Sequence, residues 1–167
     1  MKPRRVMQWF MPLLLVLLAG GCGIYSFSGA VPTHLKTVAI PTFENQTAEF
    51  GLDQTLTDAV VNTFTVDNTL KIVALRAADS ALYGTIMRVD DQPSTYSADE
   101  SVQEYKVTVV VRVKYEDLTK GKVVWEQTLS NFGIYDYTGD QSAREEGVSE
   151  AIQNITEDIL NKTVSGW

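Results

Sequence analysis

The stretch YKVTVVVRVKY, Tyr105 to Tyr115, decides the fold class. Tyr105, Val107, Val109, Val111, Val113 and Tyr115 take every second position, with Lys106, Thr108, Val110, Arg112 and Lys114 between them. Successive side chains point to opposite faces of a strand, so the odd positions form one buried face and the even ones a mostly wet face. Thr119-Lys120-Gly121-Lys122 follows with turn chemistry, and Val123 to about Tyr137 reads as a long antiparallel partner, with Gly133 as a candidate bulge. Upstream, Ala81 to Val89 alternates weakly and reads as another strand. Asp90 to Ser101, which holds Pro93 and several small polar residues, reads as a loop.

Two amphipathic helices flank this set. Leu52, Leu56, Ala59, Val60 and Phe64 recur at steps of three and four from Phe50 onward, which predicts a helix ending near Asp67-Asn68. Val148, Ala151, Ile152, Ile155, Ile159 and Leu160 form a second stripe. Ser142 with Glu145 reads as the capping box that opens this helix, with Glu145 and Glu146 in its first turn. Lys36 to Pro41 predicts a short strand before the first helix, Phe43 to Thr47 a polar loop, and Leu70 to Leu75 a strand after the helix. The order β-α-β-β-β-β-α offers one sheet face for two helices. The expectation is an α+β two-layer sandwich with both helices on one face of a mixed four- to five-stranded sheet, its other face open.

Composition narrows the function. The 167 residues carry 14 basic and 21 acidic side chains, a formal charge of -7, with one Cys and one His. Nucleic-acid binding needs clustered Lys and Arg, and an acidic chain argues against it. One Cys excludes an intramolecular disulfide; one Cys and one His exclude most zinc sites and make His-based catalysis improbable. No phosphate loop, nucleophile elbow or His-Glu-x-x-His occurs, so no metal, cofactor or catalytic residue is assigned and an enzyme is not expected. Asp90-Asp91, Asp99-Glu100 and Glu145-Glu146 read as solvated pairs, and His34 as a surface histidine near a strand start.

The N-terminus addresses the compartment. Lys2, Arg4 and Arg5 precede an apolar run from Val6 to Ala19, too short for a comfortable membrane span. The run leads into Ala19-Gly20-Gly21-Cys22, which resembles the lipobox of bacterial lipoproteins, with Ala19 where Leu is more usual. The resemblance implies cleavage before Cys22, a diacylglycerol on its thiol and a fatty acyl chain such as palmitate on the new amine. Residues 1–21 are then a signal peptide, 22–35 the lipidated Cys and a Ser/Gly/Pro-rich tether, and 36–167 one domain. The mature chain keeps 11 basic against 21 acidic side chains, or -10. Gly23 rather than Asp after the Cys implies, by resemblance, outer-membrane sorting and a lipid-anchored domain on the periplasmic side.

Further segments carry a resemblance across the whole mature chain. They are Cys22-Gly23-Ile24-Tyr25, Thr37-Val38-Ala39-Ile40-Pro41 followed by Phe43-Glu44-Asn45, Ala78-Asp79 leading to Leu82 and Gly84, Glu104-Tyr105, and Ile159-Leu160-Asn161-Lys162. Together they resemble the lipopolysaccharide-assembly lipoprotein family (LptE-like). That resemblance implies a non-catalytic plug and assembly partner of a large outer-membrane β-barrel (LptD-like), in contact with lipopolysaccharide on its way to the surface. The family's basic positions near the hairpin and before the last helix correspond here to Ser97-Ala98-Asp99-Glu100 and Asp140-Gln141-Ser142, with Arg144 nearby, so no ligand residue carries over. Val38-Ala39-Ile40-Pro41-x-Phe43-x-Asn45 also resembles outer-membrane lipoproteins that activate a peptidoglycan synthase or form part of a secretion pore, and this alternative stays open.

One candidate ligand site comes from the residues alone. Lys106, Arg112 and Lys114 lie on the even, open face, with same-face neighbours about 6.6 Å apart. With Lys120 and Lys122 in the adjoining turn, they read as the one cation cluster of the mature chain. Exposed Val110 between them would suit an acyl chain or sugar edge of a phosphorylated lipid. Edge protection or cross-strand pairing is the competing role of the same charges.

Overall fold

The computed structural model describes residues 32–96, 102–136 and 140–165. Its elements are β1 (Thr37–Ala39), β2 (Glu44–Asn45), α1 (Leu52–Asp67), β3 (Lys71–Ile72), a 3-10 turn (Leu75–Ala77), β4 (Ser80–Tyr96), β5 (Val102–Asp117), β6 (Lys122–Asp136) and α2 (Gln141–Ser165). The sheet order is β3-β1-β4-β5-β6, with β2 beside β4. β1 runs parallel to β3 and β4, while β4, β5 and β6 form an antiparallel meander. The two-layer α+β expectation holds, and the short strand after α1 does join the sheet through Lys71 and Ile72.

The odd face of β5 makes the core. Val107, Val109, Val111, Val113 and Tyr115 are fully buried, and the last four pack with Leu56, Val60 and Phe64 of α1 and Ile152, Ile155 and Ile159 of α2. Full burial of one such side chain stabilises by about 1.5–3 kcal/mol, so this face holds the layers together. Leu35 joins the same core, which seats residues 32–35 on the domain. On this face Tyr115 donates a 3.0 Å hydrogen bond to Ser80 Oγ, which satisfies its hydroxyl.

Several sequence expectations are corrected. Asp90 to Tyr96 is not loop but the continuation of β4, paired with β5 as far as Tyr96–Val102. The strand tolerates Pro93 because the register shifts beside it and β2 covers β4 only at Thr85 and Ile86. Glu44–Asn45 forms a short strand inside the expected loop. Gly133 marks no bulge; the register of β5 and β6 shifts at Tyr115/Glu116 instead. Gly133 serves the helix layer. A Cβ there would enter the Gly147 carbonyl of α2, and one on Gly147 would lie 3.1 Å from Val107 and Tyr135. Ser142 is not the cap of α2. The helix begins at Gln141, Asp140 Oδ1 accepts the Ser142 N–H at 3.1 Å, and Glu145 and Glu146 fall past the first turn. An ionised Asp satisfies a helix-end donor and also complements the helix dipole, so it outcompetes the serine.

Candidate functional site: the open sheet face and its rims

Cross-strand register defines the face that the helices leave uncovered. Lys106 pairs with Gln92 and Ile134, Thr108 with Asp90 and Phe132, Val110 with Arg88 and Ser130, Arg112 with Thr85 and Thr128, and Lys114 with Tyr83 and Glu126. Phe132 and Ile134 are each 46% exposed here, at one edge of the sheet. An antiparallel meander whose second face carries exposed aromatic and aliphatic groups is a surface that a partner can bury.

The predicted stripe does lie on this face, but its charges differ in availability. Lys106 sits over the Phe132 ring at 5.5 Å. Lys114 lies 4.7 Å over the Tyr83 ring and 2.9 Å from Glu116, whose hydrogen bond raises the lysine pKa. Arg112 is exposed and, among the described residues, forms no ion pair. Val110 is not exposed: at 9% it is buried, because it stands in the middle strand with Arg88 and Ser130 on either side. The stripe is also not the one cation cluster. Folding gathers Lys36, Lys71 and Arg76, from three separate segments, at the end of the sheet that carries Lys120 and Lys122.

Arg144 is the best-held charge at the opposite end. Its guanidinium bonds Glu49 Oε1 at 2.7 Å and Asp91 Oδ2 at 2.9 Å, which raises its pKa further and joins α2 to β4 and to the entry of α1. Tyr135 donates to the same Asp91 at 2.9 Å; burial first, then that bond, push its pKa up to about 12. Arg144 is thus committed to carboxylates. The adjoining groove, about 350 Å³ and lined by Glu49, Phe50, Arg144, Val148 and Ile152, holds no nucleophile–base pair. Among the described residues no cluster could hold a metal ion, and no helix is long and apolar enough to cross a membrane.

At the other end, His34 Nε2 lies 2.7 Å from Asp117 Oδ2, a pairing across 83 residues that sequence spacing does not signal. Asp117 is buried, which opposes ionisation, but bonds from the Thr119 hydroxyl, His34 and the Lys120 N–H outweigh this and hold its pKa far below the usual range. Asp79 is lowered by the backbone N–H of Lys36, then by the Thr37 hydroxyl and N–H. Folded pKa values below the unfolded value of about 3.9 mean that both carboxylates contribute stability above that pH. The contribution is lost as pH falls through their folded pKa values. Asp117→Asn is expected to lower the urea midpoint at pH 7 and to flatten its decline below pH ~4. Parallel wild-type and variant curves across that window would remove Asp117 from the acid response.

The sequence model of the lipopolysaccharide-assembly proteins, LptE, matches residues 35–163. The chain belongs to the LptE family. Membership gives it a role in lipopolysaccharide assembly; the family is one of assembly lipoproteins associated with the lipopolysaccharide transport machinery. Solved structures share this fold at low identity. A protein from Xanthomonas campestris matches with TM-score 0.61 and 13% identity over 81% of this chain and 89% of its own. The PelC dodecamer from Paraburkholderia phytofirmans matches with TM-score 0.57 and 18% identity over 82% and 95%. Rare lipoprotein B from Shewanella oneidensis matches with TM-score 0.51 and 17% identity over 74% and 92%. No curated protein matches the sequence.

Proposed function

We infer that the mature protein is a lipid-anchored plug and assembly partner of a large outer-membrane β-barrel, LptD-like, that delivers lipopolysaccharide to the cell surface. On this reading residues 1–21 are removed, Cys22 carries the anchor, 22–35 tether the domain on the periplasmic side, and the barrel wall covers the β6 edge of the open sheet face. The observation that carries it is that face: a long meander in an LptE-family chain, uncovered by either helix, with Phe132 and Ile134 exposed. Lasting contact with a barrel should bury more than about 1,000 Å². A photo-crosslinking amino acid at Thr128 or Phe132 is expected to trap one outer-membrane barrel, while one at Val66, exposed on α1, traps none. Adducts from Val66 alone, or from no position, would overturn the plug reading.

Lys106, Arg112 and Lys114 are proposed to meet the phosphates of passing lipopolysaccharide, with Arg112 the dominant contributor because no carboxylate holds it. Replacing all three by Gln is expected to weaken lipopolysaccharide binding and flatten its salt dependence. Binding equal to wild type at low and moderate salt would remove the stripe. A second reading is a part of a secretion pore built from several copies, consistent with the fold shared with the PelC dodecamer; a monomeric mass in solution for the barrel-free protein would count against it.

A further inference from the structure

The charges of this domain are sorted along the strand direction. β1, β3 and β4 begin, β5 ends and β6 begins at one end of the sheet, and one row of register links them: Lys71↔Thr37, Val38↔Ser80, Ser80↔Asp117 and Asp117↔Lys122. Five strands at about 4.8 Å spacing make that end roughly 20 Å wide. Lys36 and Lys71 stand at its β3 side, where the Lys71 N–H donates to the Lys36 carbonyl at 3.0 Å. Arg76 lies in the 3-10 turn between β3 and β4, and Lys120 and Lys122 in the turn between β5 and β6. All five side chains are exposed, and among the described residues none of them forms an ion pair.

Among the described residues the carboxylates nearest these five cations are only three, Asp67, Asp79 and Asp117, so the end keeps a positive excess. Asp79 accepts the backbone N–H groups of Lys36 and Thr37, Asp117 is held by His34 and Thr119, and Glu116 is bridged to Lys114. The hairpin end is the reverse. Its cations are Arg88, paired with Asp90, Arg144, paired with Glu49 and Asp91, and Lys106, seated on Phe132. Around them Glu44, Asp53, Asp136, Glu145, Glu146 and Glu150 leave a net negative field. A chain of mature charge -10 thus keeps one end with unneutralised positive charge.

The chain also enters the domain at that end. The His34–Asp117 contact and the Leu35 N–H bond to the Pro32 carbonyl fix the entry beside the β5–β6 turn. From Cys22 to Pro32 is ten residues, a reach of at most about 35 Å. Leu75 and Val123, exposed at the same end, supply apolar groups beside the cations.

We propose that, in the anchored protein before the barrel takes it up, the end bearing Lys36, Lys71, Arg76, Lys120 and Lys122 is a docking surface for the acidic phospholipid headgroups of the leaflet that holds the anchor. The domain then stands with its acidic hairpin end pointing away from the membrane. The geometry supplies what such a contact needs: unpaired cations, flanking apolar side chains, and a tether that delivers this end first. The inference rests on the lipoprotein reading of Cys22.

The test imposes attachment chemically, whatever the cell does to Cys22. The mature chain, residues 22–167, is joined through the Cys22 thiol to a maleimide phospholipid in nanodiscs that carry a gadolinium-chelating headgroup lipid. On discs containing phosphatidylglycerol, the amide signals of Lys71, Lys120 and Lys122 are expected to broaden strongly, while those of Phe50 and Glu145 persist. Lys71→Gln/Lys120→Gln/Lys122→Gln, folded as judged by an unchanged thermal midpoint, is expected to lose this preference by at least about tenfold. The corresponding Arg substitutions retain it, and salt near 1 M, where the Debye length is about 3 Å, removes it. Equal broadening at both ends, the same pattern on phosphatidylcholine alone, or a preference seen only with lipopolysaccharide in the disc would overturn the proposal. Failure of lipidation itself would be read separately, from the mass of the cellular protein.

Discussion

Gly133→Ala is expected to detach α2 from the sheet and to cost about 3 kcal/mol, at the upper end of what overpacking does. The new Cβ would occupy the place of the Gly147 carbonyl and lie 3.0 Å from Glu150 Cβ. A carbonyl in mid-helix cannot rotate away, so the helix must lift or slide. Lifting it uncovers Ile152, Ile155 and Ile159, which are buried against β5. Against a total stability of about 5–15 kcal/mol this is a large fraction. Urea unfolding reads the loss, and hydrogen exchange reads its place: protection should fall along Ala151 to Ile159 more than along β4 and β5. A variant within ~0.5 kcal/mol of wild type would show that the helix does not need the glycine seat.

Cys22→Ala is expected to remove the protein from the outer-membrane fraction altogether. Two or more acyl chains on one residue hold a protein stably, whereas a single chain holds it marginally. The basic sheet end proposed above orients a tethered domain; its few unpaired lysines do not replace a covalent anchor. The mature wild-type protein should start at Cys22 and carry the added mass of a diacylglycerol and a fatty acyl chain. The variant should lack that mass and keep residues 1–21 uncleaved. An unmodified Cys22 in the wild type, or unchanged outer-membrane sedimentation of the variant, would defeat the anchor.

What could be read from the sequence was periodic or local. The alternation of Tyr105 to Tyr115 gave the buried face, and the stripes Leu52–Phe64 and Val148–Leu160 gave the two helices that cover it. The turn at Lys120–Gly121 was legible because Gly121 takes φ 59°. The hairpin arm from Asp90 to Tyr96 was hidden, since its pairing comes from β5 and its own residues look like turn formers. Gly133 could be noticed but not interpreted, because its meaning lies in a helix packed across it. The alternation of the strand also tells that Lys106, Arg112 and Lys114 share a face, without telling what meets them there. Val110 was misjudged because period-two logic gives direction but not the cover supplied by neighbouring strands. The His34–Asp117 pair and the Arg144 clasp span 83, 53 and 95 residues and leave no local trace.

The placement of β1 between β3 and β4 has a consequence for the order of assembly. β4, β5, β6 and α2 follow one another in the chain with only a few residues between them, so they can meet through local searches. β1 reaches β4 only across a separation of about forty residues, as in the Thr37–Asp79 contacts, 42 apart. Closing so long a loop before its contacts form costs entropy, which delays such pairings. The first strand of the chain is therefore the last to be sewn into the sheet, so the N-terminal entry of the domain is seated only when the rest is complete.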